Sequence, residues 1–105
     1  MVTEDLKKSD EKFLGQTISS VIDNLILQID DNYVIEEPPA VPRGISGTLL
    51  NGDRIYLFIQ RGQLPLTFKS GDNLKLYTDL KVIGIKREHG EISTCYGEVL
   101  WQLSC

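Results

Sequence analysis

The side chains best suited to catalysis in this 105-residue chain are its single histidine, His89, and the nearby cysteine Cys95. An imidazole can act as a general base and can activate a thiol as a nucleophile. However, His89 has the sequence neighbours of a turn, and Cys95 lies in the next predicted strand, roughly 10–17 Å away at the rise of an extended chain. No motif places an Asn or Asp to orient the imidazole. We therefore expect an exposed turn histidine, and the sequence favours a protein that is not an enzyme without settling the question.

Carboxylates occur in adjacent pairs along the chain, but their spacing does not predict a metal site or a hydrolytic site. Adjacent residues of a helix or strand point in different directions, so such a pair does not converge on one ion. The sequence also lacks the twelve-residue calcium loop, zinc-type clusters of Cys and His, and the glycine-rich loops that bind phosphate. We expect these acids to be solvated, and we predict no metal and no cofactor.

Two aromatic residues, Tyr56 and Phe58, fall on one face of a predicted strand, with Arg54 in line and Arg61 close behind. Small β-barrels bind single-stranded nucleic acid by stacking bases on such aromatic side chains inside a basic groove. The isoelectric point of about 4.9 argues against this function, because nucleic-acid-binding domains usually carry a basic excess. Nucleic-acid binding through these four residues is therefore the alternative function and not the leading one.

Charge and proline divide the chain into two parts. Residues 1–40 carry nine acids and three bases, whereas residues 41–105 carry six acids and eight bases, so the net charge of −4 comes from the N-terminal part. Three of the four prolines lie within five consecutive residues, and proline is excluded from helix interiors and from the middle of a sheet. We therefore predict one domain spanning residues 1–105, with a disordered tail at 1–9 and a proline-rich hinge at 36–44.

Before the hinge, apolar residues recur at spacings of three and four, which predicts an amphipathic helix over residues 10–30. The apolar stripe consists of Leu14, Ile18, Val21, Ile22, Leu25 and Ile29. Ser9 is a candidate N-terminal cap, but Gly15 costs about 1 kcal/mol inside a helix, so a start near Thr17 is a second option. Residues 25–35 also alternate, and a hairpin there is the competing interpretation.

After the hinge the period changes to two, which predicts an antiparallel β block over residues 45–105. Asn51-Gly52 is typical of a type I′ hairpin turn between two strands. Further strands are predicted at residues 74–78, 80–87 and 92–103. The expected fold class is α+β, with an N-terminal amphipathic helix followed by a curved antiparallel meander of about five strands. Whether this sheet closes into a small, partly open barrel is left open.

Both faces of the predicted strand at 55–59 are apolar, so both must be covered. The helix can cover only one face, which leaves the other for closure of the sheet or for a second molecule. We therefore predict a non-enzymatic protein-interaction or self-association module. Its contact surface, with a protein partner or a second copy of the chain, is expected at Tyr56, Phe58 and Trp101.

The cysteines and the apolar runs indicate the cellular compartment of the protein. If residues 92–105 form one strand, Cys95 and Cys105 lie roughly 33 Å apart, whereas a disulfide needs Cα atoms within about 7 Å. Free thiols suit a reducing compartment. The apolar runs are too short to span a bilayer, and the N-terminus lacks the features of a secretory signal. We expect a cytoplasmic protein with no membrane partner.

Overall fold

A computed structural model describes residues 10–37 and 41–99 of the chain. Within these ranges the strands follow one another in a single antiparallel sheet, in the order of the sequence. They are β1 (Gln28–Glu37), β2 (Val41–Thr48), β3 (Arg54–Phe58), β4 (Gly84–His89) and β5 (Ile92–Gly97). The helix α1 (Ile18–Leu25) precedes the sheet, and a 3-10 helix (Leu74–Tyr77) lies between β3 and β4. The predicted α+β class and the meander of about five strands are confirmed, and the sheet is open.

The helix α1 is shorter than the predicted range 10–30. Thr17 caps it, because its Oγ1 accepts a hydrogen bond from the Ser20 N–H at 3.1 Å. Gly15, with a φ of 85°, lies in the turn that precedes the cap and interrupts the predicted helix. The second of the two predicted start points is therefore correct. Ile18 and Val21 are buried in the same cluster as the inner residues of the sheet, so the apolar stripe packs on its own sheet.

Residues 28–37 form strand β1. The sequence favours a helix up to residue 30, with a hairpin at residues 25–35 as the competing interpretation. The helix ends because Ile26 adopts a left-handed backbone conformation, with φ 51° and ψ 52°. β1 then pairs with β2 along its length, with irregular register between Ile29 and Val34. The alternation seen in residues 25–35 is therefore that of one strand, and its pairing partner is β2.

The proline-rich segment joins two neighbouring strands. β1 ends at Glu37 and β2 begins at Val41, so the described part of the predicted hinge at 36–44 is strand, while residues 38–40 lie outside the described residues. Pro42 is tolerated in β2 because only β1 pairs with it; the pairing of β2 with β3 begins two residues later. The helix and the sheet are thus connected at the start of β1, not through the prolines.

Asn51-Gly52 lies in a hairpin turn, as predicted, but the turn is not of the predicted type I′. The Gly52 N–H donates to the Leu49 carbonyl at 2.9 Å, and within this turn the positive φ, 93°, belongs to Gly52 alone. A type I′ turn requires positive φ at both central residues, so this loop is a type I turn followed by a left-handed glycine. Asn51 acts through its side chain, whose Oδ1 accepts a hydrogen bond from the Asp53 N–H at 2.9 Å.

The strand predicted at 74–78 is a 3-10 helix. Asn73 caps it by accepting a hydrogen bond from the Lys75 N–H at 3.1 Å. Leu74 and Tyr77, three residues apart, pack against the core, whereas Leu76 points outward and is 71% exposed. Residues three apart share a face in a 3-10 helix. The strand prediction is wrong because it assumed that Leu74 and Leu76, two apart, share a face.

The last two predicted strands are present with different limits. The strand predicted at 80–87 is β4, which begins four residues later and extends to His89. The strand predicted at 92–103 is β5, which ends at Gly97, where φ is 72°. Residues 100–103 lie outside the described residues.

A buried arginine joins the N-terminal segment to two hairpins. Arg87 of β4 lies on the core side of the sheet and is 4% exposed. Its Nε and Nη2 donate to the two carboxylate oxygens of Asp10 at 2.8 and 2.9 Å, and its Nη1 donates to Asp53 Oδ2 at 2.8 Å. Both carboxylates are buried as well. Burial of ionised groups is costly unless they are paired, so this network depends on all three members.

Replacing Arg87 by alanine should lower the free energy of unfolding by about 3–5 kcal/mol, because two buried carboxylates lose their counter-charge. The matched control is Arg54→Ala, which removes a half-exposed ion pair with Asp30 at 3.0 Å and should cost about 1 kcal/mol or less. Urea unfolding of both variants measures the difference. Equal losses in the two variants would contradict the distinction between the buried and the exposed pair.

Candidate functional site

Tyr56 and Phe58, two of the three aromatic residues predicted as a contact surface, lie on the sheet face opposite α1. Phe58 is completely buried, and its cross-strand partners Gly44 and Gly84 have no side chains to compete with its ring. Tyr56 is partly buried in the same small cluster. Trp101 lies outside the described residues. A completely buried ring offers no surface to a partner, so Phe58 has a packing role in this arrangement.

Tyr56 is held by charged neighbours on the same face. Its hydroxyl donates to Glu88 Oε1 at 2.9 Å, and the cationic groups of Arg54 and Lys86 lie 5.8 and 5.5 Å from the centre of its ring. Burial, followed by the hydrogen bond to Glu88 and its negative charge, raises the pKa of Tyr56. The ring therefore already has cationic neighbours of the kind that stabilise an aromatic face.

The two arginines of the nucleic-acid hypothesis both pair with acids of β1. Arg54 binds Asp30 at 3.0 Å, and Arg61 binds Glu37 at 2.9 Å. Glu37 also binds Arg43. The acidic strand thus neutralises cationic groups that would have to bind phosphates. Together with the burial of Phe58, this geometry does not favour the alternative function.

Cys95 is disulfide-bonded, so the expectation of free thiols is wrong. That expectation assumed one extended strand from 92 to 105, whereas β5 ends at Gly97. The other cysteine of the chain, Cys105, lies outside the described residues. A disulfide-bonded sulfur is not a thiol nucleophile, and the free-thiol argument for a cytoplasmic location no longer applies.

His89 has an orienting carboxylate that no sequence motif indicates. Its Nδ1 lies 2.5 Å from Asp53 Oδ1, although the two residues are 36 positions apart, and half of the imidazole is exposed. Asp53 also accepts the hydrogen bond from Arg87, so the imidazole extends the buried network to the surface. Among the described residues, no group of three or more His, Cys, Asp or Glu side chains could hold a metal ion.

The environment of Asp53 favours its ionised form. Burial alone raises the pKa of Asp53, but hydrogen bonds with Arg87, His89 and Asn51 outweigh it and hold this pKa below the ordinary value of 3.8. Because the carboxylate binds its proton more readily in the unfolded chain, Asp53 stabilises the fold above pH 3.8. That stabilisation is lost as the pH falls through the lower pKa of the folded protein.

Two grooves share the 3-10 helix as a wall. The first has a volume of about 550 Å³, and its lining consists of Ser19, Ile22, Asp23, Ile29, Leu74, Lys75 and Thr78. The second has a volume of about 280 Å³, and its lining consists of Pro65, Thr67, Phe68, Asp72, Asn73, Leu76 and Tyr77. We call the 3-10 helix and these two grooves the ridge surface. The lining of the first groove combines apolar side chains with polar side chains of α1 and the 3-10 helix.

The ridge surface is fixed to β1 by its own aromatic residues. The ring of Phe68 packs edge-to-face with the rings of Tyr33 of β1 and Tyr77 of the 3-10 helix. The distances between ring centres are 6.3 and 5.2 Å. The Tyr33 hydroxyl also donates to the Asp72 carbonyl at 2.5 Å, and the Val34 N–H donates to Ser70 Oγ at 3.1 Å. The long connection between β3 and β4 is therefore anchored, and long connections of this kind are often functional.

Exposed aliphatic side chains accompany the ridge surface. Leu76 lines the second groove and is 71% exposed, and Leu66 is similarly exposed between two residues that line the same groove. Ile26, 65% exposed, lies in sequence between residues that line the first groove. A single exposed aliphatic residue is ordinary, but Leu66 and Leu76 at the second groove form a candidate contact surface.

The backbone of Ile26 is strained. It is the single non-glycine residue with positive φ among the described residues, and a left-handed conformation costs an L-residue about 1–2 kcal/mol. The N–H groups of Ile26 and Leu27 both donate to the Ile22 carbonyl, which is the helix-ending motif that usually places glycine at this position. Strained residues of this kind cluster at functional sites, and here the strained side chain is exposed.

Carboxyl-resolved NMR titration should place the pKa of Asp53 below 3.8. The variant His89→Ala removes one hydrogen-bonding partner and should move this pKa upward, while Arg87 still holds it down. The control Glu91→Gln changes an exposed acid in the turn between β4 and β5 and should leave the pKa of Asp53 unchanged. A pKa above 3.8 in the unaltered protein would contradict the stabilised carboxylate.

Ile26→Gly should raise the free energy of unfolding by about 1 kcal/mol, because glycine adopts the left-handed backbone without a steric penalty. The control Ile26→Val keeps a β-branched side chain and should change stability little. Urea unfolding at low protein concentration measures the isolated chain. A glycine variant less stable than the unaltered protein would show that the side chain of Ile26 contributes packing within the monomer.

The comparisons with known proteins give no match. No family model fits the chain, and no curated protein or solved structure is significantly similar to it. In the described part of the chain, the helices are too short or too polar to cross a membrane.

Proposed function

We propose that this protein is a non-enzymatic self-association module that binds a second copy of itself through the ridge surface. The observation that carries the proposal is the exposed Leu76 on a ridge that also borders an apolar groove of about 550 Å³. Burial of one leucine contributes about 1.5–3 kcal/mol, and a symmetric dimer buries two. The class of function is the one that the sequence favours, but the proposed contact surface replaces the one at Tyr56 and Phe58.

The shape of the ridge surface supports a second copy as the occupant. In a two-fold dimer, the same patch of both protomers is in contact, so the patch must be complementary to itself. A ridge beside a groove meets this requirement, because each ridge can lie in the groove of the other protomer. The first groove also has an acid on one wall and a base on the other. A partner of uniform charge would match only one wall.

The lining of the first groove supports contact with protein. It includes Ile22, Ile29 and Leu74, which are partly buried in the monomer. Hydroxyl groups and charged side chains belong to the same lining. Protein interfaces likewise combine apolar residues with polar ones.

The variant Leu76→Asp should weaken dimer formation at least about 30-fold, because each interface then contains two carboxylates in place of apolar side chains. Leu76 is largely exposed, so the variant should keep its fold, which circular dichroism verifies. The matched control is Leu50→Asp, since Leu50 is 74% exposed and lines neither groove. Sedimentation equilibrium at several concentrations measures both. A monomeric unaltered protein at every concentration would refute the proposed function.

A further inference from the structure

We infer that two reciprocal ion pairs, each between Asp23 of one protomer and Lys75 of the other, set the register of the dimer. This inference depends on the proposed self-association and adds the residues that determine its specificity. Asp23 is on α1 and Lys75 is on the 3-10 helix, and both line the first groove. They therefore belong to two different elements that line it.

Several acids near the sheet are already neutralised by bases of the same chain. Asp10, Asp30, Asp53, Glu37 and Glu88 all pair with bases. Among the side chains that the structure describes, neither Asp23 nor Lys75 forms an ion pair. Two opposite charges thus face the same apolar groove, each with unused capacity for a partner of the opposite sign.

A two-fold axis turns this arrangement into two identical pairs. When a patch with an acid on one wall and a base on the other meets its own copy, rotation by half a turn places each acid opposite the base of the other copy. A shifted or parallel arrangement brings like charges together. Like charges at an interface are strongly unfavourable, so these residues contribute more to specificity than to affinity.

Two charge reversals test the inference. D23K leaves only lysines at the two positions, and K75D leaves only aspartates. Each variant alone should dimerise about tenfold or more weakly than the unaltered protein, because both contacts in the homodimer then join like charges. An equimolar mixture should recover dimer formation to within about threefold of the unaltered protein. Native mass spectrometry should find the mixed dimer in excess over both homodimers.

The control is E91K, a reversal of an exposed acid in the turn between β4 and β5, outside both grooves. It should dimerise like the unaltered protein. If Asp23 and Lys75 instead pair within one chain, the double variant D23K/K75D would recover while the mixture of single variants would not, and the inference would be overturned.

The outcomes also separate the inference from the proposed function. If the unaltered protein and both single variants form equally stable dimers, self-association stands and the reciprocal ion pairs are refuted. If the unaltered protein remains monomeric, the proposed function fails and the inference fails with it. A preferred mixed dimer, with the single variants weakened, supports both.

Discussion

The buried guanidinium of Arg87 is the contact on which the position of the N-terminal segment depends. It lies on the core side of β4 and binds Asp10, 77 residues earlier, through both carboxylate oxygens. Its remaining hydrogen bond goes to Asp53 in the turn between β2 and β3. Aliphatic residues would stabilise such a site at least as well. A guanidinium between two carboxylates, however, accepts one geometry only, and that geometry joins three parts of the chain.

The position of α1 follows from this contact and from backbone hydrogen bonds nearby. The Gly15 N–H donates to the Val82 carbonyl at 2.8 Å, and the Ile18 N–H donates to the Leu80 carbonyl at 2.9 Å. These bonds hold the beginning of α1 against the long connection between β3 and β4. The buried side of α1 then lies on the sheet, and its other side forms a wall of the first groove. The ridge surface therefore exists because α1 and the long connection are both fixed to the same sheet.

The sheet face opposite α1 contains the aromatic residues Tyr56 and Phe58. Its apolar residues suggest from sequence a surface that needs a partner, yet Phe58 is completely buried over glycine neighbours. Tyr56 lies among charged residues that pair with one another. Exposed aliphatic residues occur instead around the ridge surface, where the alternation of Leu74 and Leu76 predicts a strand. Finding the proposed contact surface thus required the conformation of the long connection, which the alternation of Leu74 and Leu76 does not predict.

Local patterns in the sequence determined the α+β class, the antiparallel meander and the hairpin at Asn51-Gly52, because periodicity and turn residues act over a few neighbouring positions. Local patterns also suggested the helix, but not its end, since Ile26 adopts a conformation that its residue type disfavours. Only the tertiary structure decided the pairing of β1 with β2, the burial of Arg87, the contact of His89 with Asp53 and the ridge surface. Each of these joins residues far apart in the chain, and such contacts leave no local signature.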